Sequence, residues 1–125
     1  MDKQAVFNLR LVANTNHTRE KGLMFSKPLD EDEAALFVFP YNGRYAFWNK
    51  NVDYDLSLAF LDENMKVVAI KDLKANSLSP VGPDDDVRFV IEAKQGIFTK
   101  IGINMGDIAH YNTNNTITVK KITEG

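Results

Sequence analysis

The sequence predicts a mainly β fold with one or two short helices, an α+β arrangement being the alternative. Three observations carry this. Apolar residues alternate with polar ones at period two in several segments. The continuous apolar runs are short, as buried strands are. Gly, Pro, Asn and Asp punctuate the chain often. Short strands with frequent turns suggest one compact antiparallel sheet, partly closed and barrel-like. The 125 residues are near the commonest size for a single domain, and with 44% hydrophobic residues they can bury a core unaided. No linker or internal repeat divides residues 1–125.

Phe7, Leu9 and Leu11 alternate with Asn8 and Arg10, which is the pattern of a strand with one wet face. Thr15 is a natural N-cap and Gly22 a natural stop, and together they bracket a short helix. Residues 35–39 are continuously apolar and read as a buried strand ending at Pro40. Tyr41-Asn42-Gly43-Arg44 reads as a turn, with Tyr45 to Trp48 returning as a strand. Leu56–Leu61 and Lys66–Lys71 form a hairpin in which Asn64 is expected to take the left-handed conformation. A polar loop over 76–86 precedes a strand in which Phe89, Ile91 and Ala93 alternate with Val90 and Glu92. Gly96 to Gly102 can hold one helical turn, Met105-Gly106-Asp107 turns the chain, and Ile108–Tyr111 is a short strand. A last strand carries Ile117 and Val119 on one face.

Composition excludes several classes of function. The formal charge is −2, and Lys120-Lys121 is the only adjacent basic pair, so nothing provides the basic footprint of a nucleic-acid binder. Without cysteine there is no thiol nucleophile, disulfide framework or thiolate metal site. No run is long and apolar enough for a membrane helix. Residues 1–6 hold no signal-peptide core, so the protein is either cytoplasmic or exported after loss of a leader. The sequence does not indicate an oligomeric state.

Trp48, Lys50 and Asn51 form the leading constellation, with Asn49 and Met24 as associates. On a strand, Trp48 and Lys50 share one face, and Asn49 and Asn51 the other. An aromatic face beside an amine and an amide suits a sugar, a carboxylate or a phosphate. The plainer reading makes Trp48 core, Lys50 a snorkelling surface residue and Asn51 a strand-end cap. Within Gly22-Leu23-Met24-Phe25, Leu23 and Phe25 read as core, with Met24 as gap filler or pocket wall.

Other candidates are weaker. Asn51, Asp53 and Asp55 have alternate spacing that suits calcium, but lack the turn Gly and the closing Glu. Asp84-Asp85-Asp86 reads as a solvated loop. His17 and His110 belong to no metal motif, so neither a metal nor any other cofactor is expected. The glycosylation-type triplets at Asn16 and Asn114 read as chance. Glu33 and Asp62 could serve as acid and base only if the fold brought them together.

The ordered motifs Gly22-Leu23-Met24-Phe25, Leu36-Phe37-Val38-Phe39-Pro40, Phe47-Trp48-Asn49-Lys50-Asn51 with Leu58-Ala59-Phe60-Leu61-Asp62, and Gly96, Gly102-Ile103, Gly106-Asp107 resemble the DUF192 family, from about residue 8 to 111. That family usually has Met, Thr and Asp where this chain has Asn49, Val52 and Ser57. The resemblance implies a small β-rich fold with no settled activity, and it favours a periplasmic or extracellular location. A small-molecule or carbohydrate-binding module therefore ranks first. An interaction module using an exposed edge at Ile117 to Ile122 ranks second. A carboxylate-dependent hydrolase ranks third, so the balance is against an enzyme.

Overall fold

The computed structural model describes residues 4–121. Seven strands, β1 (Gln4–Ala13), β2 (Glu33–Gly43), β3 (Leu56–Leu61), β4 (Val67–Leu73), β5 (Val87–Lys94), β6 (Ile108–Asn112) and β7 (Thr116–Lys120), form one sheet in the order β4-β3-β5-β2-β1-β7-β6. Two short helices, α1 (Asn16–Lys21) and α2 (Ile97–Lys100), lie at the sites the cap residues predict. The fold is therefore mainly β. Every strand pair is antiparallel except β1–β2, which is parallel. A hairpin cannot join parallel neighbours, and α1 with the segment after it supplies the crossover.

The sheet curls into a half-barrel whose two edge strands touch at one place. Lys66 and Ile108 bridge, the Val67 N–H donates to the Asp107 carbonyl at 2.8 Å, and the Ala109 N–H donates to the Met65 carbonyl at 2.9 Å. Phe7, Leu36, Ala59, Val67, Ile91, Ala109, Ile117 and α2's Phe98 fill the inside of the curl. The opposite face carries a second core, in which Leu23, Leu29, Val52 and Val87 pack over Phe37, Leu58, Phe60 and Val90. The middle strands are thus buried on both faces, which accounts for the unbroken apolar runs of β2 and β3.

Several local expectations change. Strand β2 runs through Pro40 to Gly43, because its register with β5 breaks between Val38 and Gly43 and no partner there needs the missing Pro N–H. Tyr45 to Trp48 is not a regular strand. It makes one bridge, Phe47 with Val81, while the Tyr45 ring stacks on Phe39 at 3.7 Å. In the β3–β4 turn the left-handed residue is Met65, not Asn64. The Asp62 carboxylate accepts from the N–H groups of Asn64 and Lys66, which places the reversal one residue later. Strand β7 is not an edge but lies between β1 and β6, and Ile122 falls outside the described residues. Among the described residues, no helix is long and apolar enough to cross a membrane.

Helix α1 is too short to persist alone. Its start is held by reciprocal bonds between Thr15 and Thr18, and its end by Gly22 at φ 48°. A Cβ on Gly22 would also meet the Phe37 ring at 3.3 Å. Gly22→Ala is expected to lower stability by about 1–2 kcal/mol through the left-handed backbone and the close ring. Urea unfolding measures this, and an unchanged midpoint would mean that the α1 end relaxes freely.

Candidate functional site

On the α1 side of the sheet, α1 and the segment 46–52 overhang β2 and β5 and leave a cavity of about 200 Å³. The 46–52 segment is held at several points. Phe47 exchanges two backbone hydrogen bonds with Val81, at 2.7 and 2.8 Å. Its ring sits edge-on to Phe37 at 5.1 Å and near Phe60 at 6.1 Å, so Phe47 is the anchor. The buried Asn49 amide donates to the carbonyls of Tyr54 and Lys74, at 2.9 and 3.1 Å. The Asn51 carbonyl, on a residue at φ 59°, accepts from the Phe25 N–H at 2.9 Å.

With Phe47 turned inward, Trp48 faces outward and is 48% exposed. The Lys50 Nζ lies 5.3 Å from the centre of its ring, within cation–π range. Trp48, Lys50 and Met24 line both the inner cavity and an open vestibule of about 400 Å³ above it. Asn49 lines the inner cavity, and Asn51 the vestibule beside His17. The fold therefore brings all five sequence-derived candidates to one place, although the Asn49 amide is spent on holding the loop, to which Asn51 contributes its backbone carbonyl. Leu23 is buried as expected, but Phe25 is 81% exposed. Phe25 takes a left-handed φ of 62° after the α1 stop while its N–H is tied to Asn51, which turns its ring outward.

The residue that sequence patterning passed over is Glu92. It sits on β5, pairs with Ala35 and Leu58, and is 4% exposed. Glu92 lines the floor of the inner cavity, and among the described residues no hydrogen bond or ion pair reaches its carboxyl, whose oxygens are left open to the cavity rather than sealed in the core. Burial pushes the carboxyl up to about 8 from an ordinary 4.5. The signal lay in the sequence as a lone charge in Phe89-Val90-Ile91-Glu92-Ala93, a run otherwise wholly apolar. Around this floor, Leu23, Phe37, Phe47 and Val52 form apolar walls, and the exposed Glu20, Lys21 and Lys50 form the rim. Arg19 is already engaged, donating to the Val38 carbonyl and lying over the Phe39 ring.

Several of the remaining candidates have structural work. Arg10 pairs with Glu33, whose carboxyl is held below the usual range by the Asp30 N–H and by that guanidinium. Asp62 organises its turn as described above. The Asp55 carboxylate accepts from the Ala75 N–H, and Asp84 and Asp86 pair loosely with Lys71 and Arg44. Among the described residues, no three His, Asp or Glu side chains cluster as a metal site would require. Ser57 is on the sheet face opposite Glu92, accepting from the Gly96 N–H at 3.0 Å and donating to Asp72 at 2.9 Å. A carboxylate at that position would therefore not reach the cavity. A wider concavity of about 530 Å³ opens inside the curl, with apolar walls from Val12, Leu36, Val38, Met65, Phe89 and Ala109 and with Asn14, His110 and Tyr111 exposed along it. It offers contact area without a buried polar group to orient a ligand.

Fold and site together define a curled β half-barrel with a sheltered pocket on one face. The chain belongs to the DUF192 family, whose model, described as "Uncharacterized ACR", matches residues 2–110. No curated protein matches it. A protein of unknown function from Novosphingobium aromaticivorans DSM 12444 is similar in structure, with a TM-score of 0.74 at 23% identity over 82% of this chain and 79% of that one. A protein from Sinorhizobium meliloti 1021, described as a "putative transcription regulator", has a TM-score of 0.75 at 20% identity over 85% of this chain and 90% of that one. At such identities these likenesses establish the fold.

The buried carboxyl makes stability depend on pH. Between pH 4.5 and about 8 the folded chain keeps the Glu92 proton that the unfolded chain has released. Stability is therefore greatest below that window and falls as pH rises through it, by about 1.4 kcal/mol per unit from this group. Glu92→Gln is expected to remove that slope, staying near wild type at pH 5 and becoming more stable than wild type at pH 9. Urea midpoints at pH 5, 7 and 9 measure the effect, and parallel curves for the two proteins would contradict it.

Proposed function

We infer that this protein is a small-ligand-binding module whose site is the α1-side pocket and its vestibule. The observation that carries the reading is the position of Trp48, half in solvent and walling a concavity, while its neighbour Phe47 takes the core position. An unconstrained Trp in a sheet protein of this size would be expected to bury its ring. Here the loop is held by hydrogen bonds on both sides so that the ring stays at the opening. Cavity size limits the ligand. A dry cavity of about 150 Å³ accepts a benzene-sized molecule, so the inner pocket suits one ring or a short chain. Apolar walls with a few polar groups at floor and rim are the usual make-up of such sites. Lys21 and Lys50 outnumber Glu20 at the rim, and this balance favours a carbohydrate or small organic molecule that carries an anionic group.

Trp48 is the chain's one tryptophan, so its emission reports on the site directly. Titration with monosaccharides, sugar acids and small carboxylates is expected to give a saturable shift with at least one of them. For that compound, calorimetry with Trp48→Ala is expected to show binding weakened about tenfold, the size of a lost aromatic contact. Emission unmoved by every compound would refute the reading.

A further inference from the structure

We propose that Glu92 is the inner anchor of this pocket, its carboxyl hydrogen-bonded to a hydroxyl or carbonyl oxygen of the ligand, and that the ligand class is the small hydroxy acids, sugar acids among them. The proposal rests on the binding reading above and adds the polarity of the two ends of the ligand.

The geometry is one-sided. A carboxyl on a residue only 4% exposed that engages no described residue would ordinarily be lost to an apolar side chain, or would acquire a partner. Its backbone neighbours Ala35 and Leu58 have no polar side chain to offer. The polar atoms of Glu92 do meet open space, namely the cavity between α1 and the 46–52 segment. A ligand oxygen in that cavity supplies the missing partner.

The surrounding charges determine the form in which Glu92 acts. From α1, Arg19, Glu20 and Lys21 face the cavity, and from the loop, Lys50 does. Tyr54 is near enough for its own ionisation to be opposed by a charged Glu92. Arg88 and Lys94 flank Glu92 on its own strand, Arg88 being spent on the Phe39 carbonyl. None of these cations comes within ion-pair reach of Glu92 among the described residues, so burial prevails and the carboxyl keeps its proton at neutral pH. A protonated carboxyl donates one hydrogen bond and accepts others, which suits an alcohol or carbonyl. It also removes the buried negative charge that would repel an anion. The rim, where Lys21 and Lys50 outnumber Glu20, then receives the carboxylate at the outer end.

The test uses D-glucuronate and D-glucose as probes, with wild type, Glu92→Gln and Glu92→Leu, by calorimetry at pH 6, 7 and 9.5. Wild type is expected to prefer glucuronate and to lose at least tenfold in affinity between pH 7 and 9.5, as the Glu92 proton is released. The amide of Glu92→Gln still donates, so that variant is expected to bind at every pH with no such loss, which also separates Glu92 from the rim lysines. Glu92→Leu, with no donor, is expected to bind at least tenfold more weakly at pH 7. Wild-type binding that is indifferent to pH, or Glu92→Leu binding as tightly as wild type, would overturn the role of Glu92 and leave the pocket reading standing. A preference for glucose would overturn the ligand class. Failure of wild type to bind either probe, with a saturable Trp48 shift from some other compound, would overturn the class while keeping the pocket. No shift from any compound would overturn both.

Discussion

Strand β5 lies between β2 and β3, with the interior of the curl against one of its faces and the α1-side core against the other. Covering both faces is what lets so small a chain bury its apolar strands, and it makes any polar side chain at the centre costly. Ile91 and Ala93 satisfy the constraint on one side and Val90 on the other. Glu92 alone violates it. The cover over that face is also incomplete, since α1 and the 46–52 segment are short, separately held pieces rather than a second sheet. The violation and the gap coincide, and the pocket exists where they meet.

The same constraint explains why the cover is held so tightly. Phe47 can occupy the space between Phe37 and Phe60 only if the chain on either side is fixed, and Asn49 fixes it by bridging the carbonyls of Tyr54 and Lys74. A methionine there, as the family usually has, could not make those two bonds. Val52 packs into the α1-side core, and Ser57 bonds on the far face of the sheet. The three positions where this chain departs from its family are thus all buried and structural here, and only Asn49 and Val52 border the cavity.

Much of the fold was legible in the sequence because its determinants are local. The alternation of Phe7, Leu9 and Leu11, the caps at Thr15 and Gly22, and the turn around Asp62 each act within a few residues. What was not legible depended on partners distant in the chain. Pro40 sits within a strand because the β2–β5 register slips beside it. Ile117 is interior because β1 and β6 both pair with its strand. Phe25 is exposed because Asn51 holds its backbone. Trp48, Lys50, Asn51, Asn49 and Met24 converge as their shared segments suggest. Glu92 was hidden by its pattern: alternation cannot tell a wet face from a second buried face, and only the cover over the α1 side makes the distinction.

The chemistry of the pocket depends on a carboxyl that keeps its proton because the fold buries it beside an open cavity with no partner among the described residues. Carbon-13 NMR of the labelled Glu92 carboxyl, followed through a pH titration of the free protein, observes this directly. A midpoint near 8 is the predicted result. A midpoint in the ordinary glutamate range, near 4.5, would mean that water or a cation reaches the group, and would contradict the account.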